Sequence, residues 1–208
     1  MRGSIIHDLP RYERYLGGRG GMEIGFPWLS IGAIVALEKY IFEKREANAP
    51  PRRVLEFGSG GSTVFFARRA DHVESIETDA TWAPRTREAI VGHGLTSKVT
   101  LHSCSTPESE RIVAGLPDGS FDLLLVDHAA DESITSRHAR RNFSRLPLAL
   151  IGLRKLAETG WLVVDNYALH GMQGFDYTGW DVWIFDDLRY SGRGTLIARR
   201  GKWGRALR

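Results

Sequence analysis

Arg53-Val54-Leu55-Glu56-Phe57-Gly58-Ser59-Gly60-Gly61-Ser62-Thr63, continued by Val73-Glu74-Ser75-Ile76-Glu77-Thr78-Asp79-Ala80-Thr81-Trp82, sets the architecture of this chain. A short apolar run ends in an acid, passes through a glycine turn, becomes a helical pattern, and returns as a second apolar run ending in an acid. This is one strand-helix-strand unit. Gly58, Gly60 and Gly61 allow a sharp turn and a close backbone approach to a ligand. Ser62 and Thr63 open a helix that carries Val64, Phe65, Phe66 and Ala67 toward the sheet. Glu77 ends the second strand, where an acid in such units accepts hydrogen bonds from a ribose diol. The implied ligand carries a nucleoside.

The glycine spacing also suits nicotinamide and flavin dinucleotides, so Glu56 matters. An acid two residues before the first glycine lies beside the space a pyrophosphate would fill. Its charge repels a phosphate but suits an ammonium or a sulfonium.

With those residues in view, Glu56-Phe57-Gly58-Ser59-Gly60-Gly61-Ser62 followed by Ser75-Ile76-Glu77-Thr78-Asp79 and Trp82 resembles motif I and the ribose-binding acid of class I S-adenosylmethionine-dependent methyltransferases. The resemblance covers roughly residues 24 to 200 and includes Phe26-Pro27-Trp28-Leu29 ahead of a helix, as in a group of small bacterial methyltransferases. It implies a Rossmann-like, seven-stranded, mostly parallel α/β sheet with helices on both faces and the last strand antiparallel. It also implies that Glu56, Gly58, Ser59, Gly60, Gly61, Ser62 and Thr63 hold the methionine end of S-adenosylmethionine. Glu77 would hold the ribose, with Thr78, Asp79 and Trp82 beside the nucleoside, and Ser103, Cys104 and Ser105 would border the adenine.

The 208 residues fit one domain, long enough to bury about 70% of its unfolded surface. We expect residues 1–29, rich in glycine and aromatics such as Tyr12, Tyr15, Phe26 and Trp28, to gate the pocket of a domain spanning 30–208. No run reaches the ~20 apolar residues of a membrane span, and the start lacks a signal-peptide core, so a cytoplasmic protein is expected. A single cysteine, Cys104, excludes an internal disulfide. The net charge of +3 comes with basic clusters at Arg137, Arg140, Arg141 and Arg145 and in the tail from Arg199 to Arg208. Solvated helix faces explain these more cheaply than nucleic acid, which is disfavoured as a partner. A homo-oligomer is left open.

Ser30 reads as the cap of a helix carrying Ile31, Ile34, Val35, Ile41 and Phe42, stopped by Pro50 and Pro51. A polar helix follows Trp82 and ends near Gly92. Val99–His102 and Phe121–Asp127 read as strands three and four, and about Ile134 to Ala157 as a helix kinked or broken at Pro147. Gly160–Asn166 is the fifth strand. Asp181–Asp187 and Thr195–Arg199 form a closing pair.

Strands four and five thus deliver Asp127, His128, Asp165 and Asn166 to one crevice, where open parallel sheets bind ligands. Asp127 with Asp165-Asn166 resembles the metal site of catechol-type O-methyltransferases, which implies three hard oxygen ligands for Mg2+ and O-methylation of a small-molecule acceptor. That family has a base lysine three residues after the first aspartate. Here the position is Ala130, which leaves His128, His170 or the metal to serve. The competing reading has Asp127 and Asp165 ordering their loops and Asn166 capping a turn. An Asp/Asn-Pro-Pro-aromatic motif is absent after strand four, which disfavours N-methylation of a base. Two other classes compete: a non-catalytic S-adenosylmethionine-binding partner module, and a nicotinamide-dependent oxidoreductase.

Overall fold

A computed structural model describes residues 25–43, 52–128, 144–168, 172, 174–186 and 194–201. Helix α1 spans Ile31–Ala36 and continues with π-helical geometry over Leu37–Phe42, where the Glu43 amide reaches the Glu38 carbonyl at 2.8 Å. There follow β1 (Arg53–Phe57), α2 (Gly61–Ala67), β2 (His72–Glu77), α3 (Trp82–Gly92), β3 (Val99–Ser103) and α4 (Thr106–Gly115). The chain closes with β4 (Phe121–Val126), α5 (Leu146–Lys155), β5 (Leu156–Asp165), β6 (Trp180–Phe185) and β7 (Thr195–Arg200).

Among the described residues the strands form one seven-stranded sheet in the order β3-β2-β1-β4-β5-β7-β6. β1 pairs parallel with β2 and β4, β2 with β3, and β4 with β5, while β7 runs antiparallel to both β5 and β6. The reversed β7 is the expected one.

The side-chain alternation of the central strands divides the core in two. Val54, Leu123, Leu125 and Val163 face Ile34 and Leu37 of α1, Phe65 and Phe66 of α2, and Ile90 of α3. Leu55, Phe57, Leu124, Val126, Leu162 and Val164 face Val113 of α4 and Leu148, Ala149 and Leu153 of α5. Both faces of β1 and β4 are therefore dry, and their carboxyl ends are held rigidly for whatever lies beyond them.

The structure sets several boundaries. Ser30 stands at the start of α1, but its hydroxyl donates to the Phe185 carbonyl at 2.7 Å and makes no cap bond to the helix. Residues 106–115, given no element from sequence, form α4, capped by Ser105 and Glu108. Pro147 sits in the first turn of α5, which starts at Leu146, and its missing N–H costs nothing there; residues 134–143 of the expected helix lie outside the described residues. Strand β5 begins at Leu156 rather than Gly160 because Leu156 pairs with Phe121, and Lys155 Nζ is drawn to the carbonyls of Ala114 and Leu116. Of the gate segment, only residues 25–29 are described. Tyr12, Tyr15, Pro50, Pro51, Arg137, Arg140, Arg141 and the tail beyond Gly201 lie outside the described residues. No described helix is long and apolar enough to cross a membrane.

Candidate active site

The turn after β1 depends on Gly58. Its φ is +88°, and a Cβ there would meet the Asp127 backbone carbonyl at 2.8 Å, so glycine is what lets β1 and β4 end side by side. Gly58 N–H bonds the Ile76 carbonyl at 2.9 Å, and Asp127 N–H bonds the Phe57 carbonyl at 2.8 Å. Three strand ends are thereby locked to one loop.

Below that loop Glu56 is 0% exposed. Its Oε2 accepts from Thr63 Oγ1 at 2.6 Å and from Ser75 Oγ at 2.8 Å, while Oε1 accepts no hydrogen bond. Burial pushes this carboxyl up to about 7, against the neighbouring hydroxyls of Ser62, Thr63 and Ser75 and with help from the Asp127 charge. Thr63 Oγ1 also accepts from Gly60 N–H at 2.9 Å, joining the buried acid to the turn.

Glu77 ends β2 and grips the same loop. Its Oε2 accepts from Ser59 N–H and Ser59 Oγ, both at 2.7 Å, and its Oε1 from Asp79 N–H at 2.9 Å. A carboxylate offers about four acceptor positions, so roughly one remains for a ligand hydroxyl. Burial raises its pKa. Asp79 Oδ1 accepts from Thr81 N–H, Thr81 Oγ1 and Trp82 N–H and so orders the start of α3. Trp82 Nε1 donates to the Ser59 carbonyl at 2.6 Å.

Trp28, Ser59, Gly60, Gly61, Ser62, Trp82 and Asp127 line a cleft with about 360 Å³ of empty space, part of it open to solvent. Trp28, half exposed, leans toward Trp82 with ring centroids 6.1 Å apart. Thr78 lies half-buried just past β2. Cys104 N–H bonds the Glu77 carbonyl at 3.0 Å, and burial holds its thiol up to about 11, well away from thiolate chemistry. The Ser105 hydroxyl donates to Glu108 and caps α4.

At the ends of β4 and β5 the structure adds a residue that sequence reasoning placed in a surface cluster. Arg145 is 3% exposed. It donates from Nε to the His128 carbonyl at 2.7 Å, from Nη1 to the carbonyls of Asp165 at 2.6 Å and Val126 at 3.4 Å, and from Nη2 to Asp127 Oδ1 at 3.2 Å. Asp127 lines the cleft with its side chain 25% exposed. Asp165 is buried, and its Oδ1 accepts from Thr195 Oγ1 at 2.7 Å. Burial raises both carboxyls, with Arg145 opposing it at each. The His128 ring is buried edge-on to Phe57 at 5.9 Å. Asn166 takes a left-handed turn, φ +48°, which asparagine tolerates. Ala129, Ala130 and His170 lie outside the described residues.

As placed, these residues do not fit the three-oxygen magnesium site that the resemblance implies. A guanidinium already contacts Asp127, and one Asp165 oxygen is bonded to Thr195 in the dry interior. Among the described residues no group of three or more His, Cys, Asp or Glu is placed to hold a metal ion.

The strand order, the reversed β7 and the glycine turn after β1 together make a Rossmann-like seven-stranded fold. Solved structures share it. A Klebsiella pneumoniae protein assigned as an O-methyltransferase has a TM-score of 0.60 at 19% identity, over 94% of this chain and 96% of that one. A methyltransferase from Geobacter sulfurreducens has a TM-score of 0.54 at 18% identity, over 97% and 91%. An O-methyltransferase from Bacillus cereus in complex with S-adenosylhomocysteine has a TM-score of 0.53 at 16% identity, over 72% and 74%. At such identities the likeness is one of fold. No protein-family model matches the chain, and no curated protein does.

Proposed function

We propose that this chain is an S-adenosylmethionine-dependent methyltransferase that methylates a hydroxyl of a small molecule. The observation that carries the reading is the charge of the crevice. Glu77 grips the glycine turn, Asp127 lines the cleft with Arg145 against it, and Glu56 lies buried beneath; burial raises all three carboxyls in the ligand-free chain, and a bound cation would favour their ionised forms. Such a site repels a pyrophosphate and favours a sulfonium and an ammonium. This speaks against the dinucleotide alternative.

In this reading the 58–63 loop and the field of Glu56 hold the methionine end. Glu77 takes the ribose with its remaining acceptor position, and Trp82 walls the nucleoside side. The cofactor supplies a methyl group on a positively charged sulfur that leaves as a neutral thioether. The chain must align the acceptor oxygen and receive its proton. Asp127 is suited to both, since it lines the cleft, is partly exposed, and has a pKa raised above the ordinary carboxylate range. His128, buried against Phe57, is less well placed.

The test is incubation with S-adenosylmethionine and a panel of phenols, catechols and hydroxy acids, followed by quantifying S-adenosylhomocysteine and methylated product together. Matched formation of both is expected for at least one acceptor, and Asp127→Asn should lower it. Tight cofactor binding with no turnover across the panel would favour a non-catalytic binding module.

A further inference from the structure

We propose that Arg145 occupies the role a divalent ion would have at the ends of β4 and β5. Its guanidinium holds Asp127 at the cleft and makes the site independent of metal. This rests on the methyltransferase reading above.

Four of the five guanidinium N–H groups have acceptors: the carbonyls of His128, Asp165 and Val126, and Asp127 Oδ1. A purely structural clamp across two strand ends would need only the carbonyls. The fourth contact reaches a carboxylate that lines the cleft. Arg145 therefore fixes the group facing the acceptor as well as the backbone that carries it.

The guanidinium is permanently charged and planar, so its position is set by the carbonyls and not by pH. A magnesium ion at Asp127 would have to approach this fixed positive charge and collect close to six oxygens in octahedral array. Asp165, 2% exposed and bonded to Thr195, is badly placed to join that array. In a metal-dependent site the cation draws the acceptor oxygen to itself. Here the acceptor hydroxyl is left to bond directly to Asp127, whose orientation Arg145 sets, and neutral monohydroxyl acceptors need not be excluded. Arg145 is thus a positioning residue, acting through Asp127.

Manganese serves as the probe, because its electron paramagnetic resonance signal reports free ion directly. The full chain, with S-adenosylhomocysteine present, should leave that signal unchanged, and neither magnesium nor a chelator should move the unfolding midpoint. Arg145→Lys, which keeps the charge, should still exclude manganese. Arg145→Gln, which removes the charge and the contact that sets Asp127, should lower kcat for the methylated acceptor while leaving S-adenosylhomocysteine affinity unchanged. Stoichiometric manganese binding by the wild-type chain, abolished by Asp127→Asn, would overturn the proposal. So would an Arg145→Gln protein that folds, binds S-adenosylhomocysteine as wild type does, and turns over acceptor at the wild-type rate. Should that variant not fold, the wild-type measurement decides alone. A chain that shows no unfolding shift with S-adenosylhomocysteine at all would instead refute the methyltransferase reading.

Discussion

Replacing Glu56 by glutamine should stabilise the ligand-free protein and weaken its ligand binding, and the first effect should depend on pH in a defined way. Glu56 has a folded pKa of about 7 against an ordinary value of 4.5. Below pH 4.5 the carboxyl is protonated in folded and unfolded chains alike, and it contributes no difference. As pH rises from 4.5 to 7 the unfolded chain ionises first while the folded one keeps its proton, so stability falls; above 7 the loss is complete. At about 1.4 kcal/mol per pH unit, the gap amounts to about 3 kcal/mol. Glutamine keeps an oxygen for Thr63 and Ser75 and puts an amide where Oε1 has no partner, much as protonated Glu56 would. The substitution should therefore be near neutral at pH 4.5 and stabilising by about 3 kcal/mol at pH 8, or roughly 6–12 °C in midpoint for a domain of this size. Urea unfolding of both proteins at several pH values reads this directly. Asp127 and Asp165 titrate in both proteins, so the difference between the two curves reads Glu56 together with its coupling to Asp127. Glu56 does not reach the cleft and acts on a bound cation through its field, so S-adenosylmethionine affinity at pH 8 should drop about tenfold. Stability curves that stay parallel across the pH range would refute the charge argument.

Glu77→Ala should abolish measurable S-adenosylhomocysteine binding by calorimetry and, by stranding the buried Ser59 N–H, cost about 1–3 kcal/mol of stability; unchanged affinity would remove the ribose role. Gly58→Ala puts a side chain at φ +88° against the Asp127 carbonyl and should destabilise by about 3 kcal/mol, measured by urea unfolding. Gly152→Ala sets a helix-propensity gain of about 1 kcal/mol against overpacking of about 1–3 kcal/mol. The new Cβ would lie 2.7 Å from the buried Phe57 ring, so overpacking should win and the midpoint should fall.

Much of the fold was legible because the informative signals are local. Apolar runs ending in acids, a glycine turn at a fixed distance and helical spacing after it need no knowledge of distant residues. Leu123 to Val126 read correctly as a strand dry on both faces for the same reason. The α5–β5 boundary was not legible, since Leu156-Ala157-Glu158-Thr159 continues a helical pattern and only pairing with Phe121 overrides it. Arg145 was hidden for a related cause. It lies beside other arginines in sequence, and nothing local shows that four acceptors from two other strand ends close around it. Ser105 and Asp79, read as ligand neighbours, also order helix starts, a local role that short polar residues take readily. Asp127 lies at the cleft, as the end of a parallel strand is expected to, but nothing in the sequence pointed to Arg145 as its partner.

The most direct measurement is thermal unfolding of the full chain with S-adenosylhomocysteine, set beside the same experiment with a nicotinamide dinucleotide. At a hundredfold excess over the dissociation constant, specific binding should add about 2.7 kcal/mol, and the dinucleotide should add nothing. A clear shift with the dinucleotide and none with S-adenosylhomocysteine would contradict the assignment of this crevice to a cationic nucleoside ligand.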